Sequence, residues 1–436
     1  MRYIKNTNIL FIIVTLLISN TISASNLQEL YVLAKQNDPL IQAAQQTHFA
    51  AMQQCNIARG ALLPTINATA HSTGNRHSSS TQPYHNYNSN AFAINLEQPI
   101  FRLTDWHRLY QANAATKQAH AVYASAEQDL ILRLTTNYFA VQGATDALDA
   151  ARAKRKAFAR SLEQARQRFK AGVIAITEVH EAQARYDGAK AQVITAANFL
   201  ANNKEKLRVI VGSNTNKFAK LKTLLQLPTP KPNKIEHWVA ATSKQNLAIQ
   251  ASQHAVQVAQ QTMHANAAEH LPTLKLTSQI TRDRGNDPLY APGRTAKSIG
   301  LNLTMPLFAG GATYAKTRQA RFNYVAAKHN YTQTYRTAES AARQAFNGVV
   351  TQISEVAARK QAVKSNRSAL AAVKASYKAG IRTIVDVLNA QSNLIEAERQ
   401  YYSARYGYIL ESLKLKQAAG ILAPADIAQV NKMFAL

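Results

Sequence analysis

The chain is predicted to be mainly α with a minority of β, built from one unit written twice. It should carry long antiparallel helical pairs of coiled-coil type and four short strands. Three observations lead there. Residues about 208 positions apart match along most of the sequence, each half holds helical segments far longer than a globular core needs, and two stretches per half alternate apolar with polar residues. With only 15 Gly and 12 Pro in 436 residues, little interrupts those helices.

The first residues form a separate unit. Met1, Arg2 and Lys5 precede an apolar run from Ile9 to Ile18, followed by Ile22, Ser23 and Ala24. Charge, short apolar stretch and small residues, in that order, make a secretory signal peptide over residues 1–24. The run falls short of the ~20 apolar residues of a spanning helix, and no later segment reaches that length, so a membrane crossing would have to use strands. The single cysteine, Cys55, excludes an intrachain disulfide framework and is expected to be buried or inert.

The repeat sets the domain plan: a first unit over 25–226, a Pro- and Lys-rich connector over 227–234, a second unit over 235–423 and a tail over 424–436. Lys35-Gln36-Asn37 recurs as Lys244-Gln245-Asn246, and Gln98-Pro99-Ile100-Phe101 answers Met305-Pro306-Leu307-Phe308. Phe169-Lys170-Ala171-Gly172 answers Tyr377-Lys378-Ala379-Gly380, and Val211-Gly212 answers Ala419-Gly420. Helices are expected at about 26–60, 104–171 and 175–212, and again at 235–268, 311–379 and 383–420.

Strand pairs are expected at 62–72 with 91–98 and at 273–281 with 297–305. Phe92, Ile94 and Leu96 alternate with polar or small neighbours, as do Ile299, Leu301, Leu303 and Met305. The stretches between paired strands, 71–90 and 282–297, are polar and rich in turn formers and are expected to be loops. His71, His77 and His85 in the first match no metal-site spacing, so no metal is expected.

Four strands cannot close a membrane barrel, and an open edge in lipid would strand its peptide groups. Several chains must therefore combine: two copies give about eight strands with a filled interior, three give about twelve with room for a pore. The helices also need partners. Val387, Leu394, Tyr401, Tyr408 and Leu415 recur every seventh residue beside Leu388, Ile395, Tyr402 and Ile409, and Val179, Tyr186, Val193, Leu200 and Leu207 repeat the seam in the first half.

The formal charge is +27, about +25 without Arg2 and Lys5. Such an excess suits nucleic acid or anionic membrane. Here the cations are spread along helices without interleaved aromatics, and an exported chain meets little nucleic acid, so no nucleic-acid partner is expected. Arg152, Lys154, Arg155 and Lys156 read as a solvated helix face. No phosphate loop, paired-cysteine site or nucleophile motif is present, so neither catalysis nor a cofactor is expected.

Two stretches carry a family resemblance: residues 168–179, from Arg168 through Gly172 to Val179, and residues 377–388, from Tyr377 through Gly380 to Leu388. With the duplication and the strand pairs, they make the chain similar to the TolC family of outer-membrane efflux proteins over its whole mature length. The resemblance implies a homotrimer in the outer membrane, extending into the periplasm, with one shared 12-stranded barrel above a helical tunnel. It implies a passive exit duct serving tripartite efflux or type I secretion, with a periplasmic adaptor and an inner-membrane pump of RND, ABC or MFS type as partners. By motif, the periplasmic gate falls on Thr177, Glu178, Tyr377, Arg382, Asp386 and Asn389. Asp386 would give one carboxylate per subunit to a ring, while Asn389 stands where the family prototype has a second aspartate, which implies weaker block by multivalent cations. The adaptor would dock on Ala171, Gly172, Val173, Ala379, Gly380 and Ile381. A rival reading is a pore-free periplasmic coiled-coil adaptor or an adhesin-like rod.

Overall fold

The structure, a computed structural model, describes residues 26–79, 82–214, 218–219, 221–222, 227–285 and 293–434; the expected signal peptide lies outside them. The first repeat runs α1 (Leu27–Asn37), α2 (Pro39–Gly60), β1 (Thr65–Ser79), β2 (Gln82–Phe101), α3 (Leu103–Lys170) and α4 (Ile176–Val211). The second follows the same order: α5 (Ile235–Gln245), α6 (Leu247–Ala268), β3 (Thr273–Gly285), β4 (Arg294–Thr304), α7 (Ala312–Lys378) and α8 (Ile384–Ala418). A last helix, α9 (Pro424–Asn431), occupies the tail.

Several expected boundaries change. The helix expected over 26–60 is two, because Pro39 has no N–H to offer and Asp38 caps the new start, accepting from the Leu40 N–H at 2.7 Å. The helix expected over 235–268 also breaks, at Asn246. Its side chain accepts from the Ile249 N–H at 3.1 Å and donates to the Ala418 carbonyl at 2.9 Å. Asn37 does the corresponding work in the first repeat, donating to the Val211 carbonyl at 2.9 Å. Each repeat thus ties off the end of its own returning helix, where carbonyls lack partners within the helix.

The strands are longer than the alternation suggested. β1 runs on to Ser79 and β2 starts at Gln82, so most of the loop expected over 71–90 is a hairpin ladder. β3 likewise reaches Gly285 and β4 begins at Arg294. The extensions are polar on both faces, which removes the alternation signal, while backbone pairing holds them together. The side chains of His77 and His85 lie outside the described residues.

The four strands form one antiparallel sheet in the order β1-β2-β3-β4. The two repeats meet along β2 and β3, where Ile94 faces Ile280 and Leu96 faces Ser278. Directly opposed residues share a face. The register therefore gathers Ile66, Ala68 and Ala70, then Phe92, Ile94 and Leu96, then Leu274, Leu276 and Ile280, then Ile299, Leu301 and Leu303 onto one side. The other side holds Asn67, Asn95, Glu97, Lys275, Thr277, Gln279 and Asn302, with Lys275 and Glu97 paired at 3.2 Å. Ile299, Leu301 and Leu303 are 76%, 66% and 70% exposed in the single chain, so the apolar face lacks any cover from its own helices.

The rods are two helical hairpins. α3 has 68 residues and α7 has 67, each about 100 Å at ~1.5 Å per residue. On α4, positions 179, 182, 186, 189, 193, 196, 200, 203, 207 and 210 are all buried or half-buried, at alternating steps of three and four. That is a heptad seam whose second row is Ala182, Ala189, Ala196, Asn203 and Ile210. Small residues there let α3 approach closely, and they carry little hydrophobic signal of their own. No described helix is long and apolar enough to cross a membrane.

The principal core sits midway along α3, where Leu130, Ile131, Leu134, Tyr138 and Phe139 meet α1, the ends of α4 and α8, and α9. The tail is part of this core rather than an appendage: Ile427, Val430 and Phe434 are buried, Lys416 pairs with Asp426 at 2.5 Å, and Leu221 bridges to Phe434. Burial pushes the Tyr138 hydroxyl up to about 12, although Gln142 and the Ala219 carbonyl both bind it. Cys55 is buried, its thiol 3.1 Å from the Asn113 side-chain oxygen. The connector is ordered against the bundle, its Pro228 and Pro232 carbonyls accepting from the Tyr408 hydroxyl and the Trp238 indole N–H.

Candidate functional site

The far ends of both hairpins have the same geometry. α3 stops at Lys170 and Gly172 takes φ 72°; α7 stops at Lys378 and Gly380 takes φ 77°. The Gly172 N–H donates to the Phe169 carbonyl and the Val173 N–H to the Arg168 carbonyl, both at 2.9 Å. Gly380 and Ile381 repeat the pattern onto Tyr377 and Ser376 at 3.1 and 2.9 Å. This is a Schellman ending, which satisfies orphan carbonyls only if one residue enters the left-handed region, where glycine meets no Cβ penalty. A Cβ built on either glycine would have nothing within 4 Å. The turns are therefore set by backbone conformation alone, with open space around them.

All six expected docking residues, Ala171, Gly172, Val173, Ala379, Gly380 and Ile381, are exposed at these two turns. Val173 and Ile381 are 60% and 78% exposed, apolar side chains held out into water.

The expected gate residues lie just above. Thr177 and Glu178 open α4; Tyr377 closes α7; Arg382, Asp386 and Asn389 surround the start of α8. Within one subunit, Arg382 lies 3.7 Å from Asp386 on the next helical turn. Asp386 also accepts from the backbone N–H and the hydroxyl of Thr383, both at 3.0 Å, while the Thr383 hydroxyl accepts from the Asp386 N–H at 3.3 Å. That reciprocal arrangement is a capping box. α4 starts at Ala175 without a side-chain cap, so the two repeats differ here.

Tyr377 packs beside Phe158, Ala189, Ile384 and Leu388, which joins both hairpins just above their tips. The Arg168 guanidinium lies 4.8 Å from its ring centre. Its hydroxyl is buried and, among the described residues, has no hydrogen-bond partner. A buried hydroxyl is normally hydrogen-bonded.

Sequence reasoning missed two residues here. Thr383, three positions before Asp386, is a readable capping-box signal. Arg168 carried none, because its contact with Tyr377 spans 209 positions.

The Thr383 N–H and hydroxyl, with Arg382 adding less, hold the Asp386 carboxyl below its ordinary value of 3.8. The folded value is below the unfolded one, so the cap is complete above 3.8 and is lost as pH falls through the lowered value. Protection of the first-turn amides of α8, taken relative to their intrinsic exchange rates, should consequently fall in acid and, at neutral pH, in Thr383→Ala. Unchanged protection in that variant would show that the box does not hold the helix start.

An amphipathic sheet with two open edges, set on paired rods, is the architecture of one stave of an oligomeric membrane channel. The comparisons agree. The chain belongs to the outer membrane efflux protein family, whose model matches residues 30–213 and 238–421, once in each repeat. It is 37% identical over 420 residues to the outer membrane protein TolC of Vibrio cholerae, covering 95% of each chain. It is 28% identical over 430 residues to the alkaline protease secretion protein AprF of Pseudomonas aeruginosa, covering 96% of this chain and 89% of that one. In fold it matches the crystal structure of the CmeC outer membrane channel of Campylobacter jejuni with a TM-score of 0.82 at 18% identity, covering 95% and 90%. The protein is an outer-membrane channel of the efflux and secretion class, reaching into the periplasm.

Proposed function

We propose that three copies close their sheets into one 12-stranded barrel and stand their hairpins together as a periplasmic tunnel. The observation that carries this is the sheet itself: its register puts the apolar residues of all four strands on one face, and β1 and β4 are left with unpaired edges. In hydrocarbon those edges must find partners, and joining β4 of one copy to β1 of the next supplies them. Two copies would give about eight strands and a filled interior; three leave a lumen.

The duct is passive. A periplasmic adaptor docks on the exposed turns at Gly172 and Gly380 and links it to an inner-membrane pump of RND, ABC or MFS type. The likeness to a protease secretion protein supports type I secretion, and membership of the efflux family supports drug export.

The lower mouth is shut by contacts between neighbouring helices, with Tyr377 and Arg382 meeting Thr177 and Glu178 and with Asp386 lining the narrowest ring. The unpartnered Tyr377 hydroxyl supports this, since a neighbouring subunit can supply what its own chain does not. Asn389 leaves the ring with one carboxylate per subunit, a weaker local field than two would give.

In planar bilayers, Glu178→Ala and Arg382→Ser should each raise single-channel conductance several-fold, and conductance equal to wild type would remove them from the gate. Multivalent cations should block weakly, and Asp386→Asn should abolish the block. Because Asp386 also caps α8, Thr383→Ala is the control that loosens the cap while keeping the charge. Full block in Asp386→Asn would take this residue out of the ring.

A further inference from the structure

Above the tips, between α3 and the α7–α8 pair, runs a cavity of about 860 Å³. Its floor includes Tyr377 and Ile384, and its walls carry Lys156, Arg160 and Arg168 from α3 and Lys374 and Lys378 from α7, against one acid, Glu163. Among the described residues none of these five cations forms an ion pair. Some other cations on the same rods do have acid partners, Arg359 with Glu355, Arg367 with Glu398 and Arg399 with Glu396.

Helix geometry places the charges. At ~100° and ~1.5 Å per residue, Lys156 and Arg160 lie about 40° apart on α3, and Arg168 sits about 18 Å nearer the tip than Lys156 and about 120° round from it; all three line the cavity. Lys374 and Lys378 are four residues apart on α7. Measured from the turns at Gly172 and Gly380, Arg168 stands level with the stretch between the two lysines. Cations from α3 and from α7 thus border one space, with the Ser161, Gln164, Gln167 and Gln391 side chains as further donors. Like charges this close repel, and in a partly enclosed groove water screens them less than on an open face. The basic run at 152–156, which by sequence is only a solvated face, feeds Lys156 into this groove.

We propose that the groove is a binding site for a small multivalent oxyanion of the di- or triphosphate kind. The cavity volume suits such a ligand. Its terminal phosphates reach cations of α3 and α7 at once, Arg160 and Arg168 offering planar donor forks and the lysines compact charges. A ligand so held bridges the first-repeat hairpin to the second at the level of the gate and fixes their spacing. The lining residues all come from one chain, and Tyr377 on the floor is also the residue proposed to meet a neighbouring subunit.

The test is calorimetric titration of the full mature protein in detergent with sodium tripolyphosphate at constant ionic strength. Saturable binding of one equivalent per chain is expected, with a rise in the thermal midpoint. Arg160→Gln combined with Lys374→Gln should raise the dissociation constant by about tenfold or more, losing two charge-assisted contacts. Lys117→Gln combined with Lys328→Gln removes the same charge far from the groove and should leave binding unchanged. Unliganded thermal midpoints show that both variants are folded. Absence of saturable binding to wild type, or equal weakening in both double variants, would overturn the proposal. Bilayer conductance on the same samples reads the channel separately, so loss of one result leaves the other standing.

Discussion

Gly420→Ala is expected to be the most damaging single-methyl change in the chain. Gly420 ends α8 with φ 76°, and a Cβ there would lie 2.1 Å from the Gln245 carbonyl oxygen and 2.8 Å from the Asn246 nitrogen. Both obstacles are backbone, at the junction where Asn246 caps α6 and ties the end of α8. The left-handed conformation alone costs an alanine roughly 1–2 kcal/mol. Moving the junction adds more, for a total on the order of 3 kcal/mol or above. Gly212 is the matched control. Its φ is 78°, and its nearest obstacle is the Asn37 Cβ at 2.8 Å, a single side-chain atom that a small shift of the end of α1 relieves, against two backbone groups, the nearer at 2.1 Å, at Gly420. Thermal unfolding in detergent, with the amount of folded protein in the outer membrane, should rank wild type above Gly212→Ala and that well above Gly420→Ala. Equal midpoints for the two variants would mean that the α8 end is not locked as described.

The second large effect is on export rather than stability. Gly172→Leu and Gly380→Leu should leave the protein folded and in the outer membrane while reducing export at least about tenfold. The principal core lies midway along the rods, far from the turns, and nothing lies within 4 Å of a Cβ on either glycine. The change is therefore a local one. A leucine opposes the positive φ and adds bulk to the exposed tip where the adaptor is proposed to sit. Gly380→Asn separates the two causes, because asparagine tolerates the left-handed region. It should retain most export. Full export in Gly380→Leu would exclude this turn from docking, whereas loss in Gly380→Asn equal to that in Gly380→Leu would show that any side chain at the tip is refused.

Much of this was legible because it is local. The turns at Gly172 and Gly380 follow from glycine within repeated sequence, and the long rods follow from helical residues with little Gly or Pro. The alternation in residues 92–96 and 299–305 gave the strands. The break at Asp38 was also written there, since a capping residue followed by proline is a helix start. The polar ends of the strands were not legible, because a hairpin wetted on both faces has no apolar period. α9 carried too short a pattern to distinguish it from a loose tail, and only burial of Ile427, Val430 and Phe434 makes it core.

By itself the sequence determined the duplication, the order of elements, the positions of the turns and the need for several chains. These depend on backbone preference and on residues two to seven apart, and no partner has to be in place for them to act. The tertiary structure alone decided that β2 pairs with β3 and so unites the repeats in one amphipathic sheet. It also decided that Gly420 abuts the Gln245 carbonyl, that Arg168 covers Tyr377, and that cations from α3 and α7 face one groove. Each of these brings together residues more than 170 positions apart, and packing of whole helices and strands, rather than any local propensity, sets where they meet.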